Sequence, residues 1–393
     1  MEQIKWVLFD AYYQARKTKR NTINQLRFEM HYESELLTMY EEIKNQTYKV
    51  GKSIAFIVND PVKREIFAAN FRDRVLHHFL HWYIEPIIDA QLINDAYSCR
   101  IGKGTSYGIA RAYELMREIT ENFTKEAYVL KLDIQGYFMS INKNILYHQI
   151  QKMIPKERFA KQYSTSECLD YNRLMYLIKE VIYSNPTEHC TIKSAPKEWI
   201  GLPDSKSLFK AKPNCGLPIG NLTSQLFSNV YLCDFDHYVS KKLGISAYGR
   251  YVDDFFMISP DKNKLLEAKK HCDKYLRGIG LKLHPKKIYL QSCYKGFAFL
   301  GTYIKPHRIY IGKRTKKAMK KLVLSTLKEL KNGKFSDEQT KKWRSSINSY
   351  LGMMKHYKTY MLRIKALDAE LLCLLEPYGC FNQKFTKFCK RID

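Results

Sequence analysis

The sequence predicts an α+β protein built from two or three packed subdomains, and three observations predict it. A chain of 393 residues exceeds the usual size of one domain and can bury a substantial core. Helical periodicity occupies both ends, where Leu26, Met30, Leu36, Leu37 and Tyr40, and later Met319, Val323, Leu327 and Leu330, recur at near-helical spacing. Between them stand two short β-rich runs that carry acids, AYVLKLDIQGYF (127–138) and GRYVDDFFMIS (249–259).

Charge narrows the function. The 66 Lys and Arg against 39 Asp and Glu give a net +27, far beyond what solubility needs. A polyanionic partner is expected, nucleic acid first and an anionic membrane surface second. No stretch approaches the roughly 18 uncharged apolar residues of a transmembrane helix, so no membrane partner is expected. The start, MEQIKWVLFD, meets an aspartate too early for a signal peptide, and the expected location is cytoplasmic. Ten cysteines include no CxxC pair. Neither Cys190 beside His189 nor Cys272 beside His271 has the spaced partners of a zinc site, so reduced structural thiols are expected.

Each element follows in order. Residues 1–50 read as helical, and the basic residues between Arg16 and Arg27 suit a nucleic-acid-facing side. Residues 52–70 read as two strands around the turn Asn59-Asp60-Pro61, with Lys63 and Arg64 near the tip. A helix from Phe71 to Ile88 precedes SCRIGKGTSYG, a glycine-bearing loop whose backbone N–H groups could meet phosphate; one GxG is a weak signal and an ordinary turn serves equally. Residues 143–212 alternate helical patterns with a polar stretch holding Pro186, Pro196 and Pro203, an excursion between two core strands. The last 85 residues read as basic and helical: Lys313–Arg344 holds 12 Lys or Arg against 3 Asp or Glu, a local balance of +9.

Chemistry turns on three acids. ISAYGRYVDDFFMIS reads as a tight hairpin with Asp253 and Asp254 at its tip. Adjacent carboxylates repel and lose solvation, and a cation within reach of both relieves this. Hard divalent ions such as Mg²⁺ take oxygen ligands and share them with substrate phosphates. A third carboxylate, Asp133, would complete a site for two ions about 3.5–4 Å apart, which is the logic of nucleotidyl transfer. A surface Asp-Asp turn is the alternative, and spacing alone does not bring Asp133, 120 residues upstream, close to the pair.

With these residues in view, the chain resembles reverse transcriptases. YVDD (251–254) is similar to their catalytic tetrapeptide, KLDIQGYF (131–138) to the motif of the first catalytic aspartate, and GLPIGNLTSQLFSNVYL (216–232) to the template- and nucleotide-contacting motif. GLKLHPKK (280–287) and GFAFLG (296–301) follow in the family's order as lysine motif and primer grip, and NDPVKREIF, FRDRVLHHFL and DAYSCRIGKGTSYG precede as fingers-like segments. The resemblance covers about residues 50–310 and implies a right-hand polymerase fold with an antiparallel palm sheet. Its implied parts are an N-terminal helical extension (1–50), fingers (51–126), palm (127–142), a helical excursion (143–212), palm with the YVDD hairpin and primer grip (213–308), and a basic helical thumb (309–393).

IGNLTSQ, with Ile219-Gly220 and Ser224-Gln225 where most retroviral and intron enzymes carry Gln-Gly and Ser-Pro, resembles reverse transcriptases of diversity-generating retroelements. That resemblance implies a bacterial or phage-encoded enzyme that copies a template RNA with errors at adenines, aided by a small basic accessory variability protein; the cDNA then replaces a variable region. An apolar Ile cannot donate the hydrogen bonds a Gln would use to hold base and nucleotide in register. Ile219 as ordinary core packing is the alternative. Other bacterial reverse transcriptases (retron or abortive-infection), an intron maturase without its endonuclease, and a non-catalytic RNA-binding protein on this scaffold are the competing functions. Three intact acids with Phe138 argue against the last. No segment after Lys313 resembles an endonuclease or ribonuclease H.

The resemblance also implies roles. Asp133 and Asp253 are expected to ligate two Mg²⁺, with Mn²⁺ as a substitute, Asp254 to support them, and the Ile134 backbone to adjoin. Phe138 matches the steric gate against a ribose 2′-hydroxyl, with Gln135, Gly136 and Tyr137 beside it. Lys63, Arg64 and Arg72 are candidates for the triphosphate, Ile219 and Gly220 for the nucleotide or template, and Lys287 for a proton donor, a role Lys286 contests. Template or primer contacts are expected from Arg100, Gly102, Lys103, Gln225, Tyr251, Phe299, Leu300, Gly301, Lys313, Arg314, Lys316 and Lys317. Template RNA, primer or cDNA, and deoxynucleotides are the expected partners.

Overall fold

A computed structural model describes residues 2–17, 22–60, 62–163, 168–367 and 369–390. Pro61 of the expected turn, and Lys19 and Arg20 of the N-terminal basic cluster, lie outside these residues. Along the chain the strands are β1 Ser53–Val58, β2 Arg64–Ala68, β3 Tyr128–Asp133, β4 Cys190–Ile192, β5 Ala247–Tyr251, β6 Asp254–Ser259, β7 Tyr289–Ser292, β8 Phe297–Phe299, β9 Thr302–Lys305, β10 Arg308–Ile311, β11 Gly379–Phe381 and β12 Phe388–Lys390. Helices and strands intermix as an α+β fold requires. The chain divides into two compact units, one of residues 1–104, 130–257 and 263–289, the other of 105–129, 258–262 and 290–393.

The first unit begins with helices Glu2–Lys17, Ile23–Glu29 and Tyr32–Lys44. Ile4, Val7, Leu8, Ala11, Tyr12 and Ala15 are buried at three- and four-residue spacing, giving the first helix one apolar face, and it packs on helix Phe71–Asp89. The apolar face expected through Leu26, Met30 and Leu37 is corrected: these three are exposed, while Phe28, Leu36, Met39, Tyr40 and Ile43 are buried. The chain breaks its helix at Met30 and His31, so no single helical phase runs across both segments.

β1 and β2 form the expected antiparallel hairpin, with Val58 opposite Arg64 and Ile54 opposite Ala68. Alternation leaves Arg64 exposed and turns Glu65 inward, where it accepts from Trp199 Nε1 (2.7 Å) and the Ser207 hydroxyl (2.8 Å). β4 adds to β1 in parallel, a pairing its three residues were too few to signal. Helix Leu222–His237 is buried on nearly every side and packs against Phe71–Asp89 and Lys143–Met153 as a central rod. In the central sheet β5, β6 and β3 are neighbours in that order.

The second unit contains helix Thr105–Ile119, the sheet β10-β9-β8 and helices Lys313–Lys331, Asp337–Met354, Tyr360–Ala366 and Ala369–Leu375. Met319, Val323 and Leu330 are buried with Trp343, Ile347 and Leu351, and Leu327 packs against them, as the periodicity predicts. The expectation of a purely helical C-terminus is corrected by the hairpin β11–β12, whose Phe388 meets Trp343 edge-on at 4.9 Å. Strands of three residues carry no readable period.

Candidate functional site

The hairpin of β5 and β6 holds Asp253 and Asp254 at its turn, and its strands are deeply buried: Tyr248, Gly249 and Arg250 on one side, Phe255, Phe256 and Met257 on the other. Gly249 is required by close approach. A Cβ there would overlap the Tyr97 hydroxyl and lie 2.7 Å from Phe256 Cζ. Val252 takes a left-handed φ of 58°, strained for a β-branched residue. Both of its backbone groups are engaged: its N–H donates to Ser98 Oγ (3.2 Å) and its carbonyl accepts from Arg250 Nη1 (3.0 Å). Arg250 is itself buried, held by Asp236 through Nε (2.7 Å) and Nη2 (2.6 Å), and Asp236 also accepts from the Tyr248 hydroxyl (2.6 Å). Asn229 closes the network, donating to the Ser98 carbonyl (2.8 Å) and accepting from the Ser98 hydroxyl (3.1 Å). Segment 95–97 runs alongside: Arg250 N–H donates to Asp95 O and Tyr97 N–H to Arg250 O, each at 2.9 Å.

Asp133 ends β3, the neighbour of β6, and Ile134 N–H donates to the Asp253 carbonyl at 3.0 Å. The tertiary fold therefore brings the strand end that carries Asp133 beside the Asp253-Asp254 turn, backbone to backbone, which spacing alone did not do. Segment 280–287 is stitched to the same strand end, since His284 N–H donates to Asp133 O (2.7 Å) and Gln135 N–H to Lys282 O (2.9 Å). Lys287 Nζ reaches Asp133 Oδ2 at 2.7 Å, and Lys131 Nζ reaches Asp254 Oδ2 at 2.9 Å. Burial, then the neighbouring charge of Asp133, pushes the Asp253 carboxyl up to about 6. Burial also pushes Asp254 up to about 6, against the opposing pull of Lys131.

Divalent ions are used by the family this site resembles, and the donors suit one in chemical kind: three hard carboxylates, two of them pushed up to about 6. Asp254 Oδ1 is buried with no hydrogen-bond partner among the described residues, an orphaned hard oxygen of the kind a divalent cation takes. Among the described residues no three His, Cys, Asp or Glu side chains are gathered closely enough to hold a metal. Lys131 pairs with Asp254 and Lys287 with Asp133 in this arrangement. None of the ten cysteines forms a disulfide.

Beside the acids, Gly136 takes a left-handed φ of 57° and starts the short helix Tyr137–Ser140. Phe138 and Ile219 are both half-buried and pack on one apolar cluster of Ala55, Phe67, Met139 and Leu208. The 216–220 loop is pinned on both sides, since Leu217 N–H donates to Phe138 O (2.9 Å) and Phe67 N–H donates to Ile219 O (3.1 Å). Gly220 has a φ of 124°, and a Cβ there would lie 3.1 Å from Ile66 Cγ2.

Several expected contact residues are engaged elsewhere. Tyr137 is fully buried and donates to the Ser228 carbonyl, so it is core and not a nucleotide contact. Arg72 pairs with Glu42 and Glu35 and lies over the Tyr48 ring at 4.7 Å. Arg100 pairs with Asp89 and donates to Ile93 O (2.7 Å) and Ala96 O (3.0 Å), which ties down its own loop. Lys103 donates to Asn94, and Lys63 to Ile200 O (2.8 Å). For Arg72 and Arg100 the physical reason is that a guanidinium close to carboxylates and carbonyls satisfies its donors internally. Arg64, Gln135 and Gln225 are exposed, and Tyr251 is half-exposed at the end of β5. Gly102 has a φ of 73° in its turn.

Within the second unit, Phe299 is buried, Leu300 and Gly301 take left-handed φ values of 45° and 81° in the β8–β9 turn, and Lys313, Arg314, Lys316 and Lys317 occupy the first turns of helix Lys313–Lys331. Sequence reasoning missed Ser98, Lys131, Asn229, Asp236 and Arg250. The available signals were a charged residue inside each of two apolar strand runs, KLD and GRY, and an acid on an otherwise apolar helix.

A family model described as reverse transcriptase (RNA-dependent DNA polymerase) matches residues 62–304. Protein YkfC of Escherichia coli (strain K12) is 24% identical over 302 residues, covering 68% of each chain. An apo telomerase from Candida tropicalis aligns at 12% identity with a TM-score of 0.51, over 84% of this chain and 59% of that one. A telomerase from Candida albicans in complex with a TWJ fragment of telomeric RNA aligns at 12% identity with a TM-score of 0.47, over 90% and 65%. The chain thus spans less than two thirds of either telomerase, and the likeness to the Candida tropicalis structure concerns the fold, a right-hand polymerase. No described helix is long and apolar enough to cross a membrane.

Proposed function

The chain belongs to the reverse transcriptase family of RNA-dependent DNA polymerases, and from that premise we propose that it copies a template RNA into cDNA by two-metal nucleotidyl transfer, with errors concentrated at template adenines. The setting is mutagenic retrohoming in a diversity-generating retroelement, bacterial or phage-encoded and cytoplasmic. The observation that carries the catalytic reading is the convergence of Asp133 with the Asp253-Asp254 turn, joined by the Ile134–Asp253 hydrogen bond at 3.0 Å.

Asp133 and Asp253 would hold two Mg²⁺, or Mn²⁺ in their place, with Asp254 and the Ile134 backbone adjoining. Such ions, when bound, supply the charge that activates a primer 3′-hydroxyl and stabilises departing pyrophosphate. Lys287 stands next to Asp133, where its side chain can reach that leaving group; its 2.7 Å contact favours it over Lys286, whose backbone N–H donates to His284 Nδ1. Phe138 presents an aromatic wall that excludes a 2′-hydroxyl and selects deoxynucleotides.

The error-prone reading is supported by Ile219, which packs on the same cluster as Phe138 and brings no side-chain donor to the nucleotide. Loss of hydrogen-bonded constraint lowers discrimination between correct and incorrect pairs. Template RNA, primer, deoxynucleotides and a small basic accessory protein are the proposed partners.

Two experiments test this. Replacing Asp253 and Asp254 with alanine should abolish cDNA synthesis, and undiminished synthesis would sink the polymerase reading. Sequencing cDNA made on a defined RNA should show errors clustered at adenines; errors spread evenly over four template bases would refute the diversity-generating assignment. Ile219→Gln should lower the error rate.

A further inference from the structure

The second unit holds a cavity of about 530 Å³ between β10 and the segment 357–363. Its described lining includes Arg308, Lys316, Lys358 and Arg363 and no acidic residue. Tyr310, Tyr357 and Tyr360 add aromatic faces, and Tyr360 is 48% exposed. The guanidinium of Arg308 lies over the Tyr310 ring at 4.8 Å and donates to Lys358 O at 3.0 Å, so that corner is preorganised.

Arg363 is the decisive residue. It is only 5% exposed, yet it meets no carboxylate among the described residues. Its donors go to Thr359 Oγ1 (2.8 Å), Met354 O (3.4 Å) and Lys384 O (2.9 Å), all neutral, and its Nε is buried without a partner. A buried cation with no carboxylate beside it among the described residues is costly to the fold. An anion in the cavity it lines would supply the missing charge.

We propose that this cavity binds one unpaired nucleotide of a single-stranded nucleic acid, its phosphate held by Arg363, Lys358 and Arg308 and its base stacked on Tyr360. Cationic grooves interleaved with aromatic rings recognise single strands in this way, because every base has a π-face and every nucleotide a charge. The volume admits a nucleotide and not a duplex, which separates this site from any surface that grips paired template and primer. The proposal rests on the reading of the chain as a polymerase acting on nucleic acid.

The test uses the full chain, short labelled single-stranded RNA and DNA, and a pre-annealed primer–template, at one fixed salt concentration. Tyr360→Ala and Lys358→Glu lie on the exposed rim and should fold as wild type, which the melting temperature checks. Each should weaken single-strand binding about tenfold while extension of the annealed primer stays unchanged. Weakening with RNA alone, DNA alone or both supports the site and assigns the strand. Unchanged single-strand affinity in both folded variants would overturn it. So would an oligoglutamate peptide whose binding depends on Tyr360 while strand binding does not, since the occupant would then be an acidic protein. A wild-type chain that binds single strands through Tyr360 but extends no primer would sink the polymerase reading and leave this site standing.

Discussion

The hydroxyl of Ser98 accepts a hydrogen bond from the backbone N–H of Val252 at 3.2 Å, across 154 residues of sequence. Val252 sits in the left-handed region, where a β-branched residue costs about 1–3 kcal/mol unless its surroundings hold it. Ser98 on one side and Arg250 on the other are those surroundings, and the residue they hold precedes Asp253. The strained turn thereby aims two carboxylates from a rigid base.

Ser98→Ala should lower the rate of single-nucleotide extension by roughly 5- to 10-fold, the value of about one hydrogen bond. Ser98→Thr, which keeps the hydroxyl, should recover most of it. The loss should fall on kcat and not on the KM for deoxynucleotide, because the 216–220 loop is untouched. Single-turnover kinetics separates the two.

Gly249→Ala should destabilise the protein by roughly 1–3 kcal/mol through overpacking against Tyr97 and Phe256. Tyr97→Phe removes the hydroxyl that crowds the new methyl, so the double variant should recover part of the loss. Urea unfolding of the two single variants and the double variant checks this.

Lys287→Ala should reduce kcat about a hundredfold, within the range for a lost proton donor. Lys286→Ala, one residue away, should leave kcat within about twofold, because only Lys287 reaches Asp133. Equal losses in both would show that the lysines act only by charge.

His77 is buried on helix Phe71–Asp89 with its Nδ1 2.9 Å from Thr223 Oγ1. Burial, then His78 and Arg74, lowers its pKa from the ordinary 6.5 to about 3. The unfolded chain therefore binds the extra proton between those values, and the contribution to stability is lost as pH falls below 6.5. About 2 kcal/mol should be lost from this group between pH 7 and pH 5, at about 1.36 kcal/mol per pKa unit. His77→Gln should show a shallower acid limb in denaturant unfolding.

Much of the candidate site was legible in the sequence. YVDD, KLDIQGYF and IGNLTSQ named the acids, Phe138 and Ile219 because each motif is short and its chemistry depends on local residue order. The β1–β2 hairpin was legible because Asn59 and Asp60 punctuate two β-rich runs. Illegible were Arg72 and Arg100, since the same guanidinium serves phosphate or carboxylate depending on which neighbour arrives. β4 and the β11–β12 hairpin escaped because three residues are too few to show a period.

The sequence by itself determined the order of motifs, the excess of positive charge, the apolar face of helix Lys313–Lys331, and the presence of two adjacent acids in a β-rich run. Tertiary structure alone decided that Asp133 meets those acids, that Lys287 and not Lys286 reaches them, and that Ser98 and Arg250 hold Val252 in its strained turn. The reason is one of range. Periodicity and turn chemistry act over a few residues and can be read along the chain, whereas pairing of charges and donors acts over a few ångströms, and in Ser98–Val252 and Asp133–Lys287 it joins residues 154 positions apart.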